Sequence, residues 1–282
     1  MEIIRNVEIE GSRERPVLLD IYFKKDGRAK PVVIFLHGFK GFKDWGHFDL
    51  MARKYAENGF VFIKYNSSYN GTTPENPGEL SDFEAFGHNN LSTEANDLGL
   101  VIDYALQPGL QVPAEETEQS GVYLLGHSRG GGIVIVKAAE DPRVKKLATL
   151  ASIHDFTAFW DEETMKKFKE DGVIYILNSR TGDELPIYYQ MAEDYLANEA
   201  RLNLPQAARR LVQPWLIVHG DEDETVPLQA ARYLHQLNPA SELMILPGAD
   251  HSFGGSHPWA EQSLPEYAEK ASEAIAHFFK RK

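Results

Sequence analysis

The stretch VYLLGHSRGGGIVIVKAAE, residues 122–140, contains the most specific pattern in the chain. An apolar β-type run precedes a Gly-x-Ser-x-Gly motif, Gly126 to Gly130, and a helix-compatible run follows it. This order predicts a strand, a sharp turn and a helix, with the Ser128 hydroxyl held clear of the backbone at the turn. The helix N-terminus then faces any negative charge that develops beside Ser128. Phosphate-binding loops are a poor match, because the Gly-x-Gly-x-x-Gly spacing and a Gly-Lys-Ser/Thr ending are both absent.

Short β-type runs recur along the chain with helical stretches between them. EIIRNVEIE and PVLLDIYF alternate as an antiparallel pair does, whereas six later runs are apolar throughout, as strands buried on both faces are: PVVIFLHG, FVFIKYN, VYLLGHS, LATLAS, PWLIVHG and ELMILPG. Predicted helices include FDLMARKYAENG, STEANDLGLVIDYALQ, which opens on Ser-x-x-Ala, and PEYAEKASEAIAHFFKRK. The pattern predicts an α/β protein with a mostly parallel eight-stranded sheet, helices on both faces and an antiparallel leading edge.

Two segments interrupt this rhythm. Residues 154–212 lie between the sixth and seventh predicted strands of the sheet, and we expect them to form an inserted cap on a core of residues 1–153 and 213–282. This cap contains a predicted hairpin, VIYILNSRTGDELPIYY, which turns near Thr181-Gly182, and a predicted helix, MAEDYLANEARL. Its aromatic residues could form the cap's own core or line a pocket: Phe156, Phe159, Trp160, Tyr188 and Tyr189. Residues 66–90 are polar and too long for a simple link, which indicates a functional or a mobile loop.

Composition excludes several classes of protein. The chain carries 29 Lys and Arg against 42 Asp and Glu, and a net charge of −13 opposes binding to nucleic acid or anionic lipid. With no cysteine, disulfides and thiolate chemistry are impossible. The opening MEIIRNVEIEGS lacks a basic flank before an apolar stretch, and no run has membrane-spanning length. We therefore expect a cytoplasmic protein with no membrane partner.

Serine is a weak nucleophile at neutral pH, so a base and an orienting acid must come from elsewhere in the chain. DEDETVP follows the strand PWLIVHG, and ADHSF follows ELMILPG. Together with Ser128, these strand ends give the order Ser, Asp, His along the chain. The three groups meet only if the strands that carry them are neighbours in the sheet.

With these motifs the chain resembles the α/β-hydrolases, and most closely the esterase branch of dienelactone-hydrolase-like proteins and cinnamoyl or feruloyl esterases. LHGFKG, GHSRGG, HGDEDETVP and GADHSF occur in the order of that family. The resemblance implies Ser128 as nucleophile, Asp223 as acid and His251 as base. Asp223 is preferred over Asp221 because the family places the acid three residues before a Val-Pro pair, here Val226-Pro227. His257 is the lesser candidate for the base. The resemblance also implies an oxyanion hole made by the backbone N–H groups of Phe39 and Arg129.

Other polar residues near these motifs have simpler interpretations. We expect His37 and His219 to make structural hydrogen bonds at strand ends, and His127 to pack beside the nucleophile. The side chains of Lys40 and Arg129 could attract an acyl carboxylate, but solvated surface cations are the favoured interpretation. The spacing of His219 and His251 does not match a metal motif such as His-Glu-x-x-His, so no metal is expected.

The sequence thus predicts a serine carboxylic-ester hydrolase that forms an acyl-enzyme on a small or aromatic acyl ester, with no cofactor. The alternatives are an aminopeptidase or amidase of the same fold and a ligand-binding protein without turnover. The expected partner is a small-molecule ester, and a homodimer is possible.

Overall fold

A computed structural model describes residues 1–107, 111–158 and 160–281. The strands in these residues are β1 (Glu2–Glu10), β2 (Pro16–Phe23), β3 (Lys30–Leu36), β4 (Val61–Asn66), β5 (Thr117–His127), β6 (Val144–Leu150), β7 (Val173–Leu177), β8 (Glu184–Tyr188), β9 (Trp215–Gly220) and β10 (Glu242–Leu246). The α-helices are α1 (Phe48–Glu57), α2 (Phe83–Gly87), α3 (Leu91–Ala105), α4 (Arg129–Glu140), α5 (Glu162–Asp171), α6 (Gln190–Ala197), α7 (Glu199–Leu202), α8 (Leu204–Arg210), α9 (Gln229–Leu237) and α10 (Glu266–Lys280).

Eight strands form one sheet in the order β1-β2-β4-β3-β5-β6-β9-β10. β2 runs antiparallel to both β1 and β4, and all other neighbours run parallel. The predicted mostly parallel eight-stranded sheet with an antiparallel edge is therefore confirmed. Parallel strands end at the same edge of the sheet, so the loops that follow β3, β5, β9 and β10 all open toward one side.

Helices cover both faces of the sheet, as predicted. On one face, α3, α4, α8 and α9 bury residues such as Leu98, Ile133 and Leu234 against the strands. On the other face, α1 and α10 bury Tyr55 and Ile275. Burial of both sheet faces explains why the parallel strands read as unbroken apolar runs.

The segment 154–212 contributes to two apolar clusters. Helix α8 packs against α4, and its Leu204 and Ala207 belong to the same cluster as the strands. Residues from α5, β8 and α6 instead pack with the 42–86 region in a separate cluster: Phe168, Leu185, Ile187, Met191 and Ala192 against Phe42, Leu80 and Phe86. Segment 154–212 therefore packs on the sheet's helices at its end and on the long 66–90 loop at its centre.

The predicted hairpin is present as β7 and β8, paired antiparallel. The carbonyl of Asn178 accepts hydrogen bonds from the amides of Thr181 and Gly182, and the Asn178 amide donates to Asp183. Gly182 has a φ of 82°, in the left-handed region that favours glycine. We call residues 178–182 the hairpin tip.

Two helix predictions need correction. Helix α3 does not start from the Ser-x-x-Ala pattern: Asn90 is its N-cap, and the Asn90 side chain accepts a hydrogen bond of 2.8 Å from the Thr93 amide. MAEDYLANEARL is not one helix, because α6 ends before Asn198 and α7 begins at Glu199. Among the described helices, none is both long and apolar enough to cross a bilayer.

Candidate active site

Ser128 occupies the turn between β5 and α4, where the motif predicts it. Its φ of 55° and ψ of −120° are unusual for a residue with a Cβ, and such conformations cost about 1–3 kcal/mol. The Ser128 amide donates to the Leu150 carbonyl at the end of β6, at 2.9 Å, which ties the turn to the neighbouring strand. A Cβ on Gly126 would collide with the carbonyl oxygen of Gly130. The tight turn therefore requires glycine at this position of the motif.

Asp223 and His251 lie in the loops that follow β9 and β10, which are parallel neighbours in the sheet. His251 Nδ1 is 2.8 Å from Asp223 Oδ2, and the amides of Thr225 and Val226 donate to Asp223 Oδ1 at 2.9 and 2.8 Å. Burial alone would raise the pKa of Asp223, but the hydrogen bonds from His219 and His251 hold it well below its ordinary value. The carboxylate is thus ionised and accepts the Nδ1–H of His251. The second nitrogen of the His251 ring is left available for a proton.

Strand β6 lies between β5 and β9, so Ser128 comes from a strand that is not adjacent to the strands of the other two groups. Ser128 and His251 nevertheless line one cavity. In the described part of the chain, the Ser128 hydroxyl makes no hydrogen bond with the His251 ring. Such bonds are often long before substrate binds and tighten in the complex.

His219 contacts Asp223 as well as the backbone of its own loop. Its Nε2 is 2.8 Å from the Val226 carbonyl oxygen and 3.3 Å from Asp223 Oδ2. The carbonyl only accepts, so Nε2 carries the proton and points it between the two oxygens. The predicted structural hydrogen bond is confirmed, and the contact with Asp223 is additional. The spacing of four residues within HGDED was the available signal.

His127 also does more than pack. Its Nε2–H donates to the carbonyl of His251 at 2.9 Å, and the two rings lie with centroids 4.8 Å apart. Burial lowers the pKa of His127 to about 3, helped by repulsion from His251, so the ring is neutral at physiological pH. His127 therefore fixes the backbone of the loop that carries His251.

Phe39 and Arg129, whose backbone N–H groups the resemblance implies as an oxyanion hole, lie in the loop after β3 and directly after Ser128. Arg129 is the first residue of α4. The N–H groups in the first turn of a helix have no acceptor within the helix, so the Arg129 amide is available to another acceptor. The loop after β3 passes so close that a Cβ on Gly38 would lie 2.9 Å from the Cβ of Ser128, and Phe39 follows directly. In the described part of the chain, neither amide donates to a protein acceptor.

The side chain of Arg129 is not a solvated cation, contrary to the sequence interpretation. Its guanidinium forms an ion pair with Glu94, which is buried, and lies over the ring of Phe39 at 4.5 Å. Helix α3 supplies Glu94, a partner that no local motif signals. Lys40, the other predicted cation, forms no ion pair in the described structure.

The cavity has a volume of about 320 Å³. The described lining residues come from the loop after β3 and the start of α1, the turn at Ser128, the hairpin tip and the loop after β10: Gly38, Phe39, Lys40, Gly41, Trp45, Phe48, His127, Ser128, Asn178, Ser179, Arg180, His251 and Ser252. The hairpin tip thus forms part of the wall, which the sequence did not predict.

The lesser candidates have structural partners. Asp221 is exposed, and its Oδ1 accepts from the Gly248 amide at 2.6 Å, bridging the loops after β9 and β10. His257 Nδ1 accepts from the Gly46 amide at 2.8 Å, and its ring stacks on Trp45. Neither residue is part of the cavity wall described above.

The aromatic residues of segment 154–212 pack among themselves and with the core. Trp160 contacts Tyr195 edge to face with ring centroids 5.5 Å apart, and Tyr189 does the same with Phe168 at 5.3 Å. Phe156 is buried in the main core. Phe159 lies outside the described residues. The aromatic residues in the described wall of the cavity are instead Phe39, Trp45 and Phe48.

The 66–90 loop is hydrogen-bonded to the loop after β3. Asn66 Oδ1 accepts from the Lys43 amide at 2.6 Å, and Asn70 Nδ2 donates to the Gly41 carbonyl at 3.3 Å. Both bonds hold the loop after β3, which carries Phe39. The described wall of the cavity contains no residue of the 66–90 loop.

The strand-turn-helix arrangement at Ser128 and the parallel sheet agree with comparisons to known proteins. The model of the prolyl oligopeptidase family matches residues 47–281. The chain belongs to that family. It is accordingly a hydrolase of the α/β-hydrolase fold, as the resemblance implied.

Individual proteins show similarity of differing extent. The uncharacterized protein YcjY of Escherichia coli (strain K12) is 28% identical over 138 residues, which are 47% of this chain and 40% of that protein. The chain therefore matches less than half the length of this relative. The structure of Est1E from Butyrivibrio proteoclasticus with ferulic acid bound aligns with a TM-score of 0.72 at 20% identity over 97% of each chain. A puromycin-hydrolyzing peptidase of Mycobacterium tuberculosis aligns with a TM-score of 0.63 at 16% identity, over 99% of this chain and 38% of that one. At these identities the two structures establish a shared fold.

Proposed function

We propose that the protein is a serine carboxylic-ester hydrolase, with Ser128 as nucleophile, His251 as base and Asp223 as the orienting acid. The observation that carries the proposal is the 2.8 Å hydrogen bond between His251 and Asp223 beside the cavity onto which Ser128 opens. This bond fixes the proton of His251 on Nδ1, so Nε2 can accept the proton of a hydroxyl.

The reaction follows from these positions. The Ser128 oxygen attacks the ester carbonyl carbon as its proton passes to His251 Nε2. The carbonyl oxygen becomes an anion and accepts from the amides of Phe39 and Arg129, which are worth a few kcal/mol in the barrier. When this tetrahedral intermediate collapses, the alkoxide leaves and takes the proton from His251. Water then loses a proton to His251 and attacks the acyl-enzyme, releasing the acid and restoring Ser128.

Covalent labelling tests the nucleophile. A fluorophosphonate should label one serine, and p-nitrophenyl acetate should be hydrolysed, with both lost in Ser128→Ala. Ser120→Ala is the matched control, because Ser120 is exposed near the other end of the same strand. Hydrolysis that persists in Ser128→Ala, or is lost equally in Ser120→Ala, would refute the assignment.

An aminopeptidase or amidase is the second candidate, favoured by the peptidase name of the family. An aminopeptidase must hold the ammonium group of its substrate, which usually requires a carboxylate. The described wall of the cavity has no Asp or Glu and carries Lys40 and Arg180 instead. We therefore expect faster turnover of a p-nitrophenyl ester than of the matching aminoacyl p-nitroanilide, measured in parallel. The reverse order would favour the peptidase.

The third candidate is a ligand-binding protein without turnover. Mass spectrometry of the protein mixed with an activated ester separates it from the proposal. An added acyl mass on the Ser128 peptide supports the hydrolase, and its absence supports binding alone.

A further inference from the structure

Two positively charged side chains line the cavity from different directions. Lys40 comes from the loop after β3, directly after Phe39, and Arg180 comes from the tip of the β7–β8 hairpin. Lys40 Nζ lies 3.4 Å from the carbonyl oxygen of Leu177, three residues before Arg180. The Arg180 guanidinium lies 5.6 Å from the centre of the Phe42 ring, two residues after Lys40. The two loops thus bring both cations to the same part of the cavity. We call Lys40 and Arg180 the cation pair.

Neither cation has a carboxylate partner within the described residues. This is notable because the chain has 42 acidic residues for 29 basic ones, and many of its other cations are in ion pairs. The described wall of the cavity contains no Asp or Glu. The positive charge at this site is therefore not neutralised by the protein.

Lys40 is also partly removed from water. Burial lowers its pKa below the ordinary value of lysine, which reflects the cost of keeping an ammonium group away from solvent without a counter-ion. A bound anion would offset that cost. Asn178, which is buried, and Ser179 line the same cavity and offer neutral hydrogen-bonding groups beside the cation pair.

We propose that the cavity binds an ester that carries a second group, a free carboxylate, and that Lys40 and Arg180 hold this carboxylate. The inference rests on the proposed ester hydrolysis and names its substrate class. Arg180 presents a planar pair of donors that matches a carboxylate, and Lys40 adds a point charge. The hairpin tip is then the part of the inserted segment that selects the substrate.

Paired esters test the preference. The p-nitrophenyl monoester of glutaric acid carries a carboxylate on the acyl side, and p-nitrophenyl pentanoate is its neutral counterpart. The anionic ester should have the higher kcat/KM, and Arg180→Gln and Lys40→Gln should each lower its kcat/KM by roughly three- to tenfold. The readout is the ratio of the two rates, because Lys40 adjoins Phe39 and its replacement could slow both esters. Lys167→Gln removes one exposed charge from α5 and should leave the ratio unchanged.

A second ester pair places the charge on the leaving group: 4-acetoxybenzoate against 4-acetoxybenzamide. A preference for the anion in either pair that falls in the variants supports the proposal, and the pair that shows it identifies the side on which the carboxylate binds. Raising the ionic strength should reduce the preference, since salt screens exposed charges. If neither pair shows a preference, or if the preference survives in both variants, the proposal is wrong.

Binding without turnover separates this inference from the proposed function. Monomethyl glutarate and dimethyl glutarate can be titrated into Ser128→Ala by calorimetry, with thermal unfolding used to check that each variant is folded. The monoanion should bind more tightly, and the advantage should disappear when Lys40→Gln and Arg180→Gln are combined. This result stands even if no ester is hydrolysed. Equal affinities for the two compounds would overturn it.

Discussion

Asp223 is the most heavily hydrogen-bonded carboxylate of the candidate site. Four N–H groups point at it, from His251, His219, Thr225 and Val226. The two backbone donors fix the rotation of the carboxylate, and the two imidazoles approach the same oxygen, Oδ2. A carboxylate held in this way orients one tautomer of His251 at little entropic cost when the substrate arrives.

Replacing Asp223 by Asn therefore tests the orienting role. The amide would present an NH2 or a weaker acceptor to His251 Nδ1, which favours the wrong tautomer, and we expect kcat to fall by about 10³- to 10⁴-fold. Asp221→Asn is the matched control, because Asp221 lies two residues away and contacts the Gly248 amide instead. Ester hydrolysis by both variants is measured, with circular dichroism as a check of folding. A larger loss in Asp221→Asn would reassign the acid.

Helix α3 begins at a different residue from the one that the local sequence pattern predicts. The sequence pattern favours Ser92 as the start, whereas the structure uses Asn90, two residues earlier. Asn90 caps the helix with its Oδ1 and donates through Nδ2 to Gln190 Oε1 at 2.8 Å, on helix α6. The choice of cap thus depends on a neighbour 100 residues away, which a local pattern does not contain.

The N-cap of α3 predicts a graded series of variant stabilities. Asn90→Ala removes both bonds and should lower the free energy of unfolding by about 1–2 kcal/mol. Asn90→Asp keeps the acceptor for the Thr93 amide but loses the donor to Gln190, so its cost should be smaller. Ser92→Ala should cost least, because the Ser92 hydroxyl is buried with no hydrogen-bond partner in the described structure. Denaturant unfolding gives the order, and a larger loss in Ser92→Ala than in Asn90→Ala would contradict it.

The strands were predictable from the sequence for a physical reason, whereas several side-chain contacts near the candidate site were not. A strand buried on both faces must be apolar along its length, so six parallel strands are visible as runs in the sequence. The turn at Ser128 is equally local. The ion pair of Arg129 with Glu94 and the approach of Arg180 to the cavity depend on how distant segments of the chain fold together. Spacing along the chain carries little information about such contacts.

A buried ionic network joins the antiparallel edge of the sheet to the loop before α1. Lys43 Nζ lies 2.9 Å from Asp20 and 2.6 Å from Asp44, and Lys64 lies 3.2 Å from Asp20. Asp20 and Lys64 stand inside the apolar runs VLLDIYF and VFIKYN. A charge within a buried strand must be paired, so these two residues were the available sequence signal for the network.

Breaking this network should cost far more than breaking a surface pair. Lys43→Met leaves Asp20 fully buried with one fewer cation, and we expect the free energy of unfolding to fall by about 3 kcal/mol. Lys270→Met removes an exposed lysine paired with Glu266 on the surface of α10, and should change the stability little. Urea unfolding of both variants at neutral pH makes the comparison. Equal effects would show that the network contributes no more than a surface pair.

The buried histidines set how the stability of the whole molecule responds to acid. Burial lowers the pKa of His127 to about 3 and that of His47 to about 4, while an unfolded histidine titrates near ~6.5. As the pH falls below that value, the unfolded chain binds protons that the native protein does not. The free energy of unfolding should then drop by up to about 1.4 kcal/mol per pH unit for each histidine, until the native rings are protonated.

The depressed pKa of Asp49 acts in a lower window, with burial opposing the shift and the bonds from Tyr22, Arg53 and Arg5 outweighing it. Its contribution is present above the unfolded value of ~3.9 and is lost as the pH falls further. His127 and His47 therefore act at a higher pH than Asp49, between about pH 6 and 4. Urea unfolding across this range should give a shallower slope for His127→Gln and for His47→Gln, and the shallowest for the double variant. A double variant with the slope of the unmodified protein would show that these rings are already protonated in the native state, or are open to solvent.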